Sequence, residues 1–265
     1  LWVEKTLQHG GTHYEGREVG GVMKSALGYY QTLSDIGIAP HLGEIGEFDF
    51  DKDDHNGTAI ILAHQVSIPE QYWVKLRTYV ERGGKLIMDG LTAYYDEHAH
   101  CIMKHDFPLA DLCGASVKEF KLKGDLFEIQ VDDLTLPAHC WQGTLHCESA
   151  QPVSENDAQV LAVRYSFGSG EVLWMPTLVG LAARMAGTET LAQLLMRELN
   201  DSIRQSPFRI SEYAPNVLLR TLQADGASLS IVINKNPETV DIELVTPSGK
   251  KSLQLAPEMT QIFWQ

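Results

Sequence analysis

Apolar residues recur every three or four positions between residues 17 and 36, which is the spacing of a helix with one buried face. The repeating positions are Val19, Val22, Met23, Ala26, Tyr30 and Leu33. Gly37 follows them, and glycine commonly ends a helix because it adopts the left-handed conformation at low cost. We therefore predict a helix over residues 17–36, preceded by a polar, glycine-rich loop or strand over residues 1–16.

Uninterrupted apolar runs are typical of buried parallel strands, which are covered on both faces. Such runs occupy residues 58–63, 85–89 and 171–175, and a shorter strand is predicted over residues 38–45. Helical spacing returns between the first two runs, up to Glu81, and again over residues 188–203. Helices and strands that alternate with short connections indicate an α/β domain with an open parallel sheet and helices on both faces.

The helix predicted between the first two apolar runs, which ends at Glu81, has recognisable signals at both ends. Ser67 precedes Glu70 by three residues, the spacing of a capping box in which each side chain bonds the other residue's backbone N–H group. Pro69 is tolerated in the first turn of a helix. The pair Gly83-Gly84 is expected to end this helix.

Residues 115–165 differ in character from the segments around them. Two stretches with strand-like composition, residues 117–123 and 126–131, are followed by sequence that Pro137 and Pro152 interrupt. We interpret the region as a β-rich insertion or sheet edge within the α/β domain.

The apolar period becomes two after the break at Ser206-Pro207, as expected for strands. Five short strands are predicted, at residues 217–222, 229–233, 240–245, 252–255 and 260–264. Turn residues such as Asp225-Gly226 separate them, and this regular spacing favours a small antiparallel β-sandwich. The predicted division is an α/β domain over residues 1–206 and a β-sandwich over residues 207–265.

The composition, 44% hydrophobic and 21% charged, is typical of a globular protein. A net charge of −14 argues against nucleic acid as a partner, because phosphate backbones would be repelled. No apolar run approaches the ~20 residues needed to cross a membrane. The start of the chain shows no signal peptide but also lacks an initiator Met, so a targeting signal upstream stays open and a cytoplasmic location is only favoured.

Several segments carry a family resemblance through their order and spacing. They are YYxxLxxxGI at residues 29–38, YVxxGGKLI at 79–87, DE at 96–97, PLADLCGASV at 108–117 and FGSGEV at 167–172. Together they resemble the middle domain of family 42 β-galactosidases, whose fold is similar to that of class I glutamine amidotransferases and which mediates trimer formation. The five-strand tail resembles the small C-terminal β-domain of that family.

The resemblance implies a homotrimer and a parent enzyme that acts on β-galactosides or related carbohydrates. The catalytic (β/α)₈ barrel of the family lies N-terminal to these domains and needs about 250 residues, for which this chain has no room. No catalytic residue of the family can therefore be placed on this sequence, and no cofactor is expected. Amidotransferases carry a nucleophilic cysteine after a central strand, but here the strand at 85–89 leads into Gly90-Leu91-Thr92.

Ligands of open α/β sheets bind beyond the carboxyl ends of the strands. Asp89, Thr92 and Asp96 follow one predicted strand, and we consider them a vestigial pocket. The alternative is that they are loop side chains in solvent, which is the more common fate of such residues. Trp141, in a loop-like stretch, is the best candidate for a ligand or interface contact.

Histidines and cysteines cluster twice, and both residue types can bind zinc. The first group is His98, His100, Cys101 and His105, and the second is His139, Cys140, His146 and Cys147. Neither has an established zinc spacing, so no metal is predicted. A disulfide between Cys140 and Cys147 would need a hairpin, and thiols remain the preferred interpretation of all four cysteines, Cys113 included.

The sequence thus favours a non-catalytic oligomerisation and accessory region of a glycoside hydrolase. Two alternatives stay open. One is a carbohydrate-binding module, and the other is an independent amidotransferase-like enzyme, which would need Cys, His and Glu side chains in one pocket.

Overall fold

The computed structural model describes residues 20–103, 107–156, 159–224 and 227–264. The predicted leading segment at 1–16, His105 and the turn at Asp225-Gly226 lie outside these residues. The helices are α1 (Gly21–Asp35), α2 (Gln71–Glu81), α3 (Ala110–Cys113), α4 (Val179–Ala186), α5 (Glu189–Glu198) and α6 (Asn200–Gln205). No helix in the described ranges is long and apolar enough to cross a membrane.

A seven-stranded sheet contains the first seven strands of the described chain. They are β1 (Ala59–Ala63), β2 (Lys85–Asp89), β3 (Ala115–Val131), β4 (Leu134–Cys147), β5 (Gln151–Asn156), β6 (Gln159–Phe167) and β7 (Gly170–Met175). The order is β1-β2-β7-β6-β4-β3, and β5 pairs with β6. The predicted α/β class is confirmed, but the sheet is mixed, because only β1, β2 and β7 pair in parallel.

The three parallel strands are the apolar runs of the sequence. Leu86, Ile87 and Met88 are completely buried, as are Leu173 and Trp174. Burial on both faces explains why these strands lack alternating polar residues.

Two predicted helix ends are present. Gly37 has a φ of +81°, and Ile38 N–H bonds the carbonyl of Leu33 while Gly37 N–H bonds that of Ser34. This is a Schellman motif, in which glycine accepts the left-handed conformation that would strain other residues. Gly83, with a φ of +100°, ends α2 in the same manner.

The predicted capping box is wrong. The Ser67 hydroxyl donates instead to the carbonyl of Asp96 at 2.8 Å, and the side chain of Glu70, which is the N-cap residue, makes no capping bond. The N–H of Glu70 donates to the carboxylate of Glu97 at 3.0 Å. A long-range contact with the loop after β2 has therefore replaced the local motif.

Four other elements also differ from the predictions. Residues 38–44 are irregular rather than a strand, and this exposed stretch contains Pro40, which has no N–H group to donate to a ladder. The two strands predicted within residues 117–131 form one long strand with register shifts. The helix predicted over 188–203 is divided into α5 and α6, and α4 was not predicted.

The C-terminal strands form two three-stranded antiparallel sheets, ordered β13-β10-β9 and β12-β11-β8. They are β8 (Arg209–Ile210), β9 (Val217–Ala224), β10 (Ala227–Asn234), β11 (Val240–Thr246), β12 (Gly249–Leu255) and β13 (Thr260–Trp264). All five predicted strands are present. Apolar residues of both sheets share one buried cluster, which includes Leu219, Val232, Leu244 and Leu255.

The described chain divides into two compact units. The first contains the described residues up to Tyr29 and Gly46–Leu191. The second contains Tyr30–Ile45 and the described residues from Ala192 onward. In the second unit Asp35 accepts backbone N–H bonds from Ala214 and Asn216, which fix the end of α1 to the start of β9. The boundary near residue 206 stays a prediction.

Candidate functional site

Asp89 is the last residue of β2 and is completely buried. One carboxylate oxygen accepts the backbone N–H of His64 at 2.7 Å, and the other accepts that of Gly180 at 2.9 Å. Buried carboxylates are retained only where such bonds compensate for lost hydration. Asp89 therefore joins the segment after β1 to the start of α4.

The backbone around Asp89 is shaped to present these donors. His64 has a φ of +52°, and its Nδ1 accepts the N–H of Leu91 at 3.0 Å. Gly90 has a φ of +61°, and a Cβ on it would lie 2.5 Å from the same Nδ1. The chain turns so closely past His64 that a side chain at position 90 would collide with the imidazole.

Helices α1 and α4 approach each other beside this carboxylate. A Cβ on Gly28 would lie 1.9 Å from the carbonyl oxygen of Gly180, and one on Gly180 would lie 2.6 Å from the ring of Tyr29. Glycine at both positions is what permits the close approach of the two backbones. The Tyr29 ring consequently covers the end of the sheet next to Asp89.

Burial shifts the titration of both groups. It raises the pKa of Asp89 from 3.8 to about 7, although the N–H groups of Gly180 and His64 and the Tyr29 side chain oppose the shift. Burial, followed by the charge of Asp89, raises the pKa of Tyr29 well above its ordinary value. A carboxylic acid with this pKa is half-protonated near neutral pH, and the Asp89 side chain is completely buried.

Thr92 is also completely buried and lies against Asp89. Its hydroxyl is 2.7 Å from the carbonyl of Asp89 and 2.9 Å from that of Leu62, and it accepts the N–H of Gln65 at 3.0 Å. These bonds link the ends of β1 and β2. The structure therefore brings two of the three predicted pocket residues together.

Asp96, the third predicted pocket residue, is bonded within its own loop. One oxygen accepts the N–H groups of His98 and His100 at 2.8 Å, and the other lies 3.0 Å from His100 Nδ1. Burial would raise the pKa of Asp96, but these bonds outweigh it and lower the pKa. The carboxylate thus organises the 96–100 turn, and its hydrogen bonds to His98 and His100 stay within that loop.

Trp141 lies on strand β4, not in a loop as the sequence suggested. It pairs in register with Leu122 of β3, and its ring lies edge-on to Phe120 at 6.3 Å. Tyr94 and Tyr95 extend this group, and all four aromatic side chains pack half-buried against Val22, Val66 and Leu91. Proline interruptions concealed the strand, since Pro137 is accommodated within it opposite Glu128.

All four cysteines are thiols. Cys113 is buried, and burial raises the pKa of its thiol, which makes it unreactive. Cys140 and Cys147 lie on the same strand, β4, rather than facing each other across a hairpin. Within the described ranges, no three His, Cys, Asp or Glu residues are grouped so that they could hold a metal ion.

The most important partners of Asp89 were missed from the sequence. The sequence places Tyr29 only in a predicted helix and in the family-like segment at residues 29–38, and Gly180 belongs to a helix that is not predicted. The succession Gly180-Leu-Ala-Ala after Pro176 contains a helical signal that could have been used, because small residues permit a close helix approach.

The family described as "Beta-galactosidase trimerisation domain" matches residues 11–202. No curated protein sequence matches the chain. Among solved structures, the chain is similar to Gan42B, a GH42 β-galactosidase from G. stearothermophilus, with a TM-score of 0.71 and 14% identity over 92% of this chain and 36% of that one.

Two further structures show the same fold. The β-galactosidase from Bacillus circulans sp. alkalophilus has a TM-score of 0.66 and 14% identity, over 92% of this chain and 37% of that one. An α-L-fucosidase isoenzyme from Paenibacillus thiaminolyticus has a TM-score of 0.62 and 9% identity, over 91% of this chain and 44% of that one. The chain thus spans less than half the length of each of these relatives.

Proposed function

The chain belongs to the family of β-galactosidase trimerisation domains, and we propose on that basis that it is a non-catalytic oligomerisation and accessory region that assembles as a homotrimer. It would serve a β-galactosidase-like glycoside hydrolase whose catalytic barrel lies outside this chain. The galactoside, or a related carbohydrate, would then be bound through that barrel. The family match over residues 11–202 carries the proposal.

The interior of the first unit supports an accessory rather than a catalytic role. Both oxygens of Asp89 accept backbone N–H groups, and the hydroxyl of Thr92 is used between two strands. We interpret Asp89 and Thr92 as the remains of a strand-end pocket that Tyr29 and Gly180 now fill, and Asp96 as a turn residue beside it. A hydrolase would need carboxylates that substrate can reach.

The finer assignments belong to the same proposal. We interpret residues 1–206 as an amidotransferase-like α/β domain with a β-rich insertion at about 115–165. The two small sheets after residue 207 are interpreted as a β-sandwich, which the shared cluster around Leu244 supports.

The first test is the mass of the chain by light scattering during size exclusion. Three times 29.5 kDa, independent of loading concentration, is expected. A monomer at all concentrations would overturn the proposal that this chain self-associates.

One observation favours a carbohydrate-binding module as the second candidate. Aromatic rings at Tyr94, Tyr95, Phe120 and Trp141 form a half-exposed group, and sugars commonly pack on aromatic faces. Titration with galactose and lactose, followed by tryptophan fluorescence and calorimetry, separates the candidates. Saturable binding by a monomeric chain, abolished in Trp141→Ala, would favour the module.

A further inference from the structure

Closed three-fold assembly needs two different surfaces on each copy. A two-fold dimer can pair one patch with itself, whereas a ring joins one surface of each copy to another surface of the next. The inference below rests on the proposed trimer and concerns the surfaces that form it.

The first surface is the outer ribbon of the seven-stranded sheet. We define the ribbon patch as Lys118, Phe120, Leu122 and Lys123 of β3 with Trp141 of β4. Lys121, which pairs in register with Gln142, lies on the opposite face of the strand and forms an ion pair with Glu119. Leu122 is 51% exposed, the two lysines of the patch are exposed, and the two aromatic rings are half-buried. Interfaces concentrate binding energy in such partly exposed aromatic and apolar groups.

The second surface precedes β1. We define the acidic segment as Glu47, Asp49, Asp51, Asp53 and Asp54, all of which are exposed. Phe48 and Phe50 pack on Tyr79 of α2 with ring centroids 5.4 and 6.3 Å apart, so the segment is held against that helix. The same helix exposes Val74, at 67%.

The two surfaces are opposite in charge and lie on different elements of the fold. Three lysines and one glutamate occupy residues 118–123, whereas five carboxylates and Lys52 occupy residues 47–54. The two surfaces belong to different elements of the first compact unit, the ribbon patch to β3 and β4 and the acidic segment to the loop that packs on α2.

A net charge of −14 makes copies of this chain repel one another. Association is then easiest where a basic surface meets an acidic one. We propose that the chain assembles head to tail, with the ribbon patch of one copy on the acidic segment of the next and the ring closing at three copies. Leu122 and Trp141 supply the apolar centre of each contact, and the lysines and carboxylates set its register.

Charge reversal tests this pairing. The ribbon variant carries Lys118→Glu and Lys123→Glu, and the segment variant carries Asp51→Lys and Asp53→Lys. Asp49 and Asp54 are left unchanged because their carboxylates accept N–H bonds within the loop. The control, Lys235→Glu with Lys251→Glu, changes the same number of exposed lysines in the other unit.

Each reversal alone should raise the trimer dissociation constant about a hundredfold, since like charges across an interface repel strongly. The four changes combined in one chain should restore the trimer, and the control should behave as wild type. Circular dichroism and thermal melts confirm that each variant is folded. Restoration of the trimer in the combined variant would show that its loss in the ribbon variant and in the segment variant comes from charge at the contact.

The other outcomes overturn the pairing in distinguishable ways. Trimers that persist in both reversals would exclude these surfaces while leaving the oligomerisation role intact. Dissociation without rescue in the combined variant would show that the surfaces do not meet each other. A wild-type monomer would overturn this inference and the trimer proposal together.

Discussion

The parallel and antiparallel halves of the large sheet use their side chains differently. In the parallel half Leu86, Ile87 and Met88 are completely buried, and the polar atoms of Asp89 are satisfied by backbone groups. In the antiparallel half Leu122 and Leu126 are 51% and 44% exposed. The comparison teaches that the parallel half encloses its apolar side chains and pairs its buried carboxylate with backbone N–H groups, whereas the antiparallel half leaves apolar side chains exposed.

Two tryptophans measure that difference most directly. Trp174 is completely buried and stacks on Phe107 at 5.3 Å, whereas Trp141 is half-buried on the ribbon. Trp174→Ala should lower the free energy of unfolding by about 3–5 kcal/mol because it leaves a cavity, and Trp141→Ala by about 1–2 kcal/mol. Urea denaturation of both variants gives the values, and equal losses would remove the distinction between the two halves.

Asp89 should give the parallel half a dependence on pH. Its pKa is about 7 in the folded state against 3.8 as a free side chain, so the folded state holds a proton that the unfolded state releases between these values. The contribution of Asp89 to stability should be greatest below about pH 4 and should fall by up to about 4 kcal/mol as pH rises to about 7.

The variant Asp89→Asn should flatten that part of the stability profile. It should also lose about 1–3 kcal/mol at low pH, because an amide cannot accept both N–H bonds. Denaturation at pH 4 to 8 is the measurement, with Asp201→Asn, an exposed change, as control. A profile that keeps the wild-type slope would assign the pH dependence to another group.

The crossing of α1 and α4 should be intolerant of a single methyl group. Gly28→Ala places a Cβ 1.9 Å from the Gly180 carbonyl oxygen. The two helix backbones would have to move apart, which should lower the free energy of unfolding by about 3 kcal/mol. Gln31→Ala, on the exposed face of the same helix, should change stability by less than about 0.5 kcal/mol. The two melting temperatures check this, and similar values would show that the helices separate easily.

Features that depend on residues close together in sequence could be predicted, whereas features that depend on contacts between distant residues could not. The buried runs and the glycine stops at Gly37 and Gly83 depend on neighbouring residues, and both were found. The capping box failed because Glu70 bonds Glu97, which is distant in sequence. The nearby proline led to the prediction of a loop at Trp141. In the structure, pairing with Leu122 on the neighbouring strand outweighs that local signal.

The candidate site was predictable only in part for the same reason. Asp89 and Thr92 share one strand end, so their proximity follows from local order. Tyr29 and Gly180 reach that point through the packing of two helices, and no local pattern records such an approach. Asp96 was grouped with the pocket by sequence distance, although its turn directs the carboxylate to His98 and His100.

Because the tryptophans differ in burial, their fluorescence can report separately on different parts of the chain. Trp174 is enclosed, Trp141 is half-covered, and Trp264 is 75% exposed on the outer face of β13. Indole emission moves to longer wavelengths in water. A shift confined to Trp141 would therefore report assembly of the trimer, while a shift of Trp174 would report unfolding. With Trp2, Trp73 and Trp264 replaced by Phe, one fluorescence titration could separate the two processes without an attached label.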